Sequence, residues 1–274
     1  MLVTMKEILL DARKEHRAIG AFNVANYETA VAVLQAAEAE KSPVIIQVFK
    51  RLFDSEKGAD IGGMLLRLAH RSTVPVALHL DHGSEVRQVK IALSAGYTSV
   101  MLDASNQPFD KNVEMTAWAV NYAHALGASA EGEIGHVAMG DETALTTVDE
   151  AVKFAALTGV DALAVSIGTC HGYYKTEPCI DVKRAVAIAN ALPDLPLVLH
   201  GGSGTPLDKV HAVIKTGGIS KVNIATEYMD TYLKSTRRNL EALAGKFIPV
   251  DKFMDPVIAD CMAHVQRLIK FFRD

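Results

Sequence analysis

Eight short apolar runs, rich in β-branched residues, alternate with longer amphipathic stretches along almost the whole chain. No other feature of the sequence restricts its folds as tightly. The runs are AIGAFNV (18–24), PVIIQV (43–48), VPVALHLDH (74–82), SVMLDA (99–104), SAEGEIG (129–135), ALAVSIG (162–168), LPLVLHGG (195–202) and ISKVNIA (219–225). Between them, segments such as 27–41, 109–127 and 149–159 repeat apolar residues every three or four positions, the period of a helix with one buried face. Thr147 with Glu150, and Thr4 with Glu7, have the spacing of a capping box. Gly96, Gly127, Gly159 and Gly217 stand where helices must stop in a left-handed turn.

Mostly apolar strands separated by helices pair in parallel and are buried on both faces. Eight such units predict an α/β protein, a closed (β/α)8 TIM barrel, with an extra N-terminal helix before the first strand. A C-terminal helical tail follows through PVIADCMAHVQRLIKFF (256–272). An open doubly wound sheet would carry a glycine-rich fingerprint at its first strand-helix turn, where this chain has NVANYE. No linker rich in Pro, Gly or Ser interrupts the pattern, so residues 1–274 are expected to form a single domain.

Composition narrows the partners. A formal charge of -4 without a dense Lys/Arg stripe argues against nucleic acid. No apolar run is long enough to span a bilayer, and the charged segment MLVTMKEILLDARKEH is unlike a signal peptide, so a cytoplasmic protein with no membrane partner is expected. Cys170, Cys179 and Cys261 show no CxxC pairing, which speaks against a disulfide framework or a thiolate zinc site.

In a parallel barrel every strand delivers its C-terminal end to one rim. Asp81 and His82 end the third run, Asp103 the fourth, and Glu131 and Glu133 the fifth, all at that rim. His171 follows the sixth, His200 ends the seventh, and Asn223 and Thr226 close the eighth. Three imidazoles gathered with carboxylates suit a divalent transition metal, and three His with an open position is the donor set of a catalytic zinc. His79 points to the same strand face as Asp81 and is expected to support the ligands by hydrogen bonding. His16, His70, His124, His211 and His264 fall on helices or their ends and read as structural or surface groups.

A second signal is an anion site. HGGSGTPLDK (200–209) places Gly201, Gly202, Ser203 and Gly204 between a strand and a helix, and VNIATE (222–227) offers Thr226 beside it. Backbone N–H groups in such turns approach phosphate closely, and the loops after strands seven and eight are where this barrel usually binds it.

With those residues assembled, LHLDHG (78–83), DAS (103–105), EGEIG (131–135), SIGTCHGYYK (166–175), LHGGSG (199–204) and KVNIAT (221–226) resemble, in order, the motif series of the class II metal-dependent ketose-bisphosphate aldolases. That family includes the fructose- and tagatose-bisphosphate enzymes of carbohydrate metabolism and glycolysis. The resemblance spans about residues 5 to 235. It implies a Zn2+ ion held by His82, His171 and His200, with Glu133 and Asp103 as nearby carboxylates sharing in metal binding, and Asp81 as the acid/base residue. It also implies dihydroxyacetone phosphate on Gly172, Gly201, Ser203, Asn223, Ala225 and Thr226, with Lys175 as a matching loop residue and a monovalent cation, Na+ or K+, near the phosphate. The implied reaction is reversible cleavage of a ketose (bis)phosphate to dihydroxyacetone phosphate and an aldehyde through a zinc-stabilised enediolate. The implied assembly is a homodimer or homotetramer.

Two departures stand out. In GHVAMGDETALTT (135–147), Ala138 and Met139 occupy the places of the family's paired flap glycines, and the proton-abstracting base is Asp141 by alignment or Glu142 by side-chain length. In VFKRLF (48–53), Phe49 stands where relatives usually carry a small hydroxyl residue, which points to a ketose phosphate other than fructose bisphosphate, or to low activity toward that substrate. Two rival readings are a metal-dependent hydrolase on the same barrel and a non-catalytic sugar-phosphate-binding barrel. The first would place a close pair of His on the first strand, which FNVANY lacks.

Overall fold

The computed structural model describes residues 1–135, 137, 145–174, 178–216 and 218–274. Eight parallel strands close into a barrel in sequence order: β1 Ile19–Asn23, β2 Val44–Phe49, β3 Val76–Gly83, β4 Ser99–Leu102, β5 Ser129–Ile134, β6 Ala162–Val165, β7 Leu197–Leu199 and β8 Ile219–Ile224. The helices are α1 Met5–Lys14, α2 Tyr27–Ala39, α3 Lys50–Phe53, α4 Gly58–Arg71, α5 Val86–Ser94 and α6 Phe109–Ala125. They continue with α7 Val148–Thr158, α8 Val182–Ala191, α9 Leu207–Lys215, α10 Thr226–Ala242 and α11 Val250–Arg273. The expected (β/α)8 architecture is thus the observed one.

Local signals act as the sequence suggests. Thr147 and Glu150 exchange hydrogen bonds in a complete capping box at the start of α7, and Gly159 ends that helix at φ +67°. Thr4 accepts from the Glu7 amide without the reciprocal bond. Gly217, expected to end a helix, lies outside the described residues.

Two packing layers hold the barrel. Between strands and helices runs an apolar shell that includes Phe22, Leu78, Phe154 and Tyr228. Inside the barrel floor, Met5, Ile8, Leu9 and Ala12 of α1 pack on Ile19, Ala21, Ile45, Ala77, Ala162, Ala164 and Val198. Each fully buried large apolar side chain of this plug contributes on the order of 1.5–3 kcal/mol. The N-terminal end of the barrel is therefore stoppered and apolar, and the chemistry is left to the other mouth.

The tail helix begins earlier than expected, at Val250 rather than near Pro256. Proline inside a helix forfeits one backbone bond. Here the stripe Val257, Cys261, Val265, Leu268, Ile269 and Phe272 is buried on α11, which packs mainly on α2 and α10, and that burial carries the helix through Pro256.

Candidate active site

Successive residues of a strand face opposite sides of a sheet, so Asp81 and His82 should not share a mouth. They do because His82 adopts φ +53°, a left-handed conformation, and because the β3–β4 register shifts between Leu80 and Gly83. His82 Nε2 comes within 4.0 Å of Asp81 Oδ1. A left-handed non-glycine residue costs about 1–2 kcal/mol, and such strain persists where surrounding contacts over-determine it. Gly83 follows because a Cβ there would meet the Met101 carbonyl oxygen at 2.7 Å.

His171, in the loop after β6, and His200, directly after β7, complete the cluster. His82, His171 and His200 each offer a ligand atom within 4.8 Å of the others. Their ring centroids lie 4.9, 4.6 and 5.9 Å apart. Nε2 of His82, Nε2 of His171, Nδ1 of His200 and Oε2 of Glu133 are all buried without a hydrogen-bond partner. The last two lie 2.8 Å apart without hydrogen-bond alignment.

On His82 and His200 the opposite ring nitrogen is held by a carboxylate. His82 Nδ1 pairs with Asp103 Oδ2 at 2.8 Å, and His200 Nε2 pairs with Glu131 Oε1 at 2.8 Å. Asp103 also offers an oxygen within 4.8 Å of His82 and Glu133, but its Oδ1 accepts from the amide and hydroxyl of Ser105, so both its oxygens are engaged. His79 touches none of the three imidazoles. Its Nδ1 pairs with Ser99 Oγ at 2.8 Å and its Nε2 lies 3.8 Å from Glu131 Oε2. Any support it gives passes through Glu131.

The electrostatics favour a cation. Asp81, Asp103, Glu131 and Glu133 gather around the imidazoles, and the buried ammonium of Lys221 pairs with Glu131. Burial opposes charge on His200, yet Glu131 and Glu133 outweigh it and push its imidazolium up to about 10. On His82, burial is likewise overcome by Asp81 and Asp103. Burial, then His82 and His200, push His171 down to about 4, so it presents a neutral nitrogen. Three imidazoles, two of them with a carboxylate on the opposite ring nitrogen, whose unpartnered nitrogens meet in one place fit a divalent transition cation such as zinc.

Asp81 is held in an amide cage. Its Oδ2 accepts from Asn23 Nδ2 at 2.8 Å, its Oδ1 from Asn223 Nδ2 at 3.4 Å, and Gln47 donates to Asn23 Oδ1 at 2.7 Å. Burial alone would raise its pKa, but His82, Lys221 and His200 outweigh that and hold it below the ordinary carboxylate value. Across the β2–β3 register from Asp81 stands Phe49, whose ring meets His82 edge-on at 6.1 Å. At 36% exposure it forms part of the rim.

The glycine loop after β7 lies beside this cluster. A Cβ on Gly201 (φ +68°) would fall 2.3 Å from the Cys170 carbonyl oxygen, so the loops after β6 and β7 pack backbone against backbone. Gly172 turns at φ +90° beside His171. The Ala225 amide donates to Ser203 Oγ at 3.0 Å, and α10 opens at Thr226 with no side chain capping its N-terminus. That end of a 17-residue helix, beside a glycine loop, suits a phosphate.

The structure therefore brings together Asp81, His82, Asp103, Glu133, His171 and His200, with Gly172, Gly201 and Ser203 in the loops after β6 and β7, Asn223 at the end of β8, and Ala225 and Thr226 at the start of α10. Asp141, Glu142 and Lys175, together with Ala138 and Met139, lie outside the described residues. Asn23, Gln47 and Tyr174 also belong to the site, without a motif role to mark them. The first two were visible as amides inside otherwise apolar strands. Tyr174 was not, since only the fold shows its hydroxyl bridging the Cys170 amide, the Gly201 carbonyl and Thr205 Oγ1.

Comparison with known proteins places the chain among aldolases. The family model described as fructose-bisphosphate aldolase class-II matches residues 3–274. The chain is 41% identical over 258 residues to the 6-phospho-5-dehydro-2-deoxy-D-gluconate aldolase of Bacillus subtilis (strain 168), covering 90% of this chain and 87% of that protein. It is 40% identical over 255 residues to the fructose-bisphosphate aldolase of Geobacillus stearothermophilus, covering 87% and 86%. The crystal structure of the YdjI aldolase from Escherichia coli K12 superposes with a TM-score of 0.87 at 32% identity, covering 99% of this chain and 97% of that one.

Proposed function

The chain belongs to the class II fructose-bisphosphate aldolase family, and we propose that it reversibly cleaves a ketose phosphate to dihydroxyacetone phosphate and an aldehyde, with zinc on His82, His171 and His200. The observation that carries this is the trio of buried, unpartnered imidazole nitrogens meeting at the barrel mouth. His82, His171 and His200 would hold a divalent cation that, when bound, would supply Lewis-acid polarisation of the substrate carbonyl and stabilise the negative charge developing on the dihydroxyacetone phosphate half.

The protein's own groups do the rest. In this reading Glu133 assists the three imidazoles. Asp103, with both oxygens engaged, acts by orienting His82 rather than by ligation. Gly172, Gly201, Ser203, Asn223, Ala225 and Thr226 seat dihydroxyacetone phosphate, with Lys175 and a monovalent cation beside the phosphate. Asp81 takes the proton from the hydroxyl of the bond being broken and returns it on condensation, while Asp141 or Glu142 exchanges the proton on dihydroxyacetone phosphate. The enzyme is taken to work in the cytoplasm, as a single barrel domain assembled into homodimers or homotetramers. Among the described residues no helix is long and apolar enough to cross a membrane.

The substrate is the finer question. Relatives of nearly equal similarity are named for fructose bisphosphate and for a phosphorylated dehydro-deoxygluconate, and both names describe phosphorylated keto compounds. Phe49 brings an apolar ring, not a hydroxyl, to the rim beside Asp81. An aldehyde half bearing its own phosphate finds no hydrogen-bond donor in that side chain. We therefore expect fructose 1,6-bisphosphate to be a poor substrate. Dihydroxyacetone phosphate release across a panel of ketose mono- and bisphosphates, with metal content measured on the same preparation, tests both statements. Phe49→Ser is expected to raise kcat/KM for the bisphosphate relative to the best substrate by on the order of 10-fold, the worth of one or two hydrogen bonds. A wild-type preference for fructose 1,6-bisphosphate would remove the substrate assignment and leave the aldolase assignment standing.

A further inference from the structure

Lys221 is fully buried in the barrel interior, and so is its partner Glu131, whose Oε2 lies 2.7 Å from Nζ. The lysine's backbone sits low in the barrel, paired with Ile19 of β1 and Val198 of β7. Both neighbours belong to the apolar floor sealed by α1. The ammonium thus has no route to water and reaches inward to a carboxylate.

A buried ion pair is a poor way to stabilise a core, because desolvation offsets most of the Coulomb attraction and well-packed apolar residues of similar volume do as well or better. The surrounding floor is built from Ile, Ala and Val of the strands closed by Met5, Ile8, Leu9 and Ala12 of α1. What the pair adds over those residues is a fixed direction. Glu131 has two oxygens: Oε2 is held by Lys221, and Oε1 meets Nε2 of His200 at 2.8 Å. With Nε2 held, Nδ1 of the same ring faces the point it shares with His82 and His171. His82 gets the equivalent service from Asp103, which is itself held by Ser105 at the rim. His200 is served from below, through the barrel axis.

We infer that Lys221 is a positioning residue for the metal centre, holding Glu131 so that Glu131 orients His200 for ligation. This rests on the zinc reading above. The lysine touches neither substrate nor cation, and it acts through two intervening side chains. Nor does it suit a covalent carbonyl chemistry of its own, being sealed under the cluster with its ammonium committed to Glu131.

Zinc affinity of the folded protein tests this without recourse to turnover. Competition with a chromophoric chelator, on wild type, Lys221→Met, Glu131→Gln and the double variant, gives four dissociation constants. Each single variant is expected to bind zinc about 10- to 100-fold more weakly, the range for partners that orient a ligand. The double variant is expected to be no weaker than the worse single one, since the two residues form one relay. Thermal melting in the absence of metal separates this from a general loss of structure. Lys221→Met with wild-type zinc affinity, to within about twofold, and a lowered melting temperature would overturn the inference, as would losses that multiply in the double variant. Should Lys221→Met fail to fold, the isosteric Glu131→Gln carries the test, and undiminished zinc binding by it is fatal. Wild-type protein that binds no zinc would instead sink the metal reading itself, a distinct result.

Discussion

Replacing His171 with alanine is expected to abolish aldol cleavage and zinc binding while leaving the fold intact, whereas replacing His200 should damage both. The two imidazoles aim at the same point, but their surroundings differ. His171 sits in the loop after β6, burial and its imidazole neighbours keep it neutral, and its Nε2 has no hydrogen-bond partner, so its removal strands no carboxylate. His200 is fully buried between Glu131 and Glu133, at 2.8 Å from each. Deleting its ring leaves carboxylates facing each other in the barrel interior without the group between them. Breaking a buried charge pair in this way costs roughly 3–5 kcal/mol, and about 2–4 °C of melting temperature is lost per kcal/mol in a domain of moderate size. Loss of the cation removes several kcal/mol of charge stabilisation, so both variants should fall by on the order of 10³-fold or more in kcat at about 1.4 kcal/mol per decade. Dihydroxyacetone phosphate release, metal content and thermal melting on both variants check this. Dialysis of wild type against a chelator should reproduce the His171→Ala phenotype, and added Zn2+ should reverse it. Activity that survives both treatments would end the metal assignment.

The contrast between these two histidines also marks what could be read without a structure. Barrel architecture was legible because it is written in period: eight apolar runs and the helices between them report burial directly, and strand order follows from strict alternation. Convergence of His82, His171 and His200 then followed from topology, since each lies at the end of a strand or in the loop after it. What could not be read is everything that depends on side-chain direction. His82 follows Asp81, and alternation alone would send one of them outward. Only the left-handed backbone at His82 and the bulge in β3–β4 bring both to the mouth. Asp103 and Glu133 looked alike as carboxylates near the cation, yet Asp103 is tied to Ser105 and His82 while Glu133 keeps an oxygen unpartnered. Glu131 was placed at the rim with the others, but it reaches across the interior to Lys221. The start of α11 was misjudged for a different reason: Pro256 reads locally as a helix boundary, and the apolar stripe from Val257 to Phe272 overrides it.

Asp81→Asn is expected to lower kcat for cleavage by on the order of 10²- to 10⁴-fold, the usual worth of a positioned acid/base group, with little change in KM. The substitution keeps the side-chain shape and one of the two oxygens that accept from Asn23 and Asn223 but removes the carboxylate that must accept a proton. Asp81 suits this role because it stays ionised in a buried position: desolvation disfavours its charge, but His82, Lys221 and His200 more than compensate. Asp81→Ala should match the loss in kcat and add about 1–3 kcal/mol of destabilisation, since two buried amides lose their acceptor. A second measurement separates Asp81 from the other proton transfer. Solvent exchange of a C–H proton of dihydroxyacetone phosphate requires neither the aldehyde nor the hydroxyl that Asp81 serves, so exchange should persist in Asp81→Asn while cleavage fails. The opposite pattern is expected for whichever of Asp141 and Glu142 abstracts that proton. If Asp81→Asn cleaves substrate within tenfold of wild type, or loses exchange and cleavage in equal measure, Asp81 does not handle the hydroxyl proton, and its amide cage must be explained by some other demand of the site.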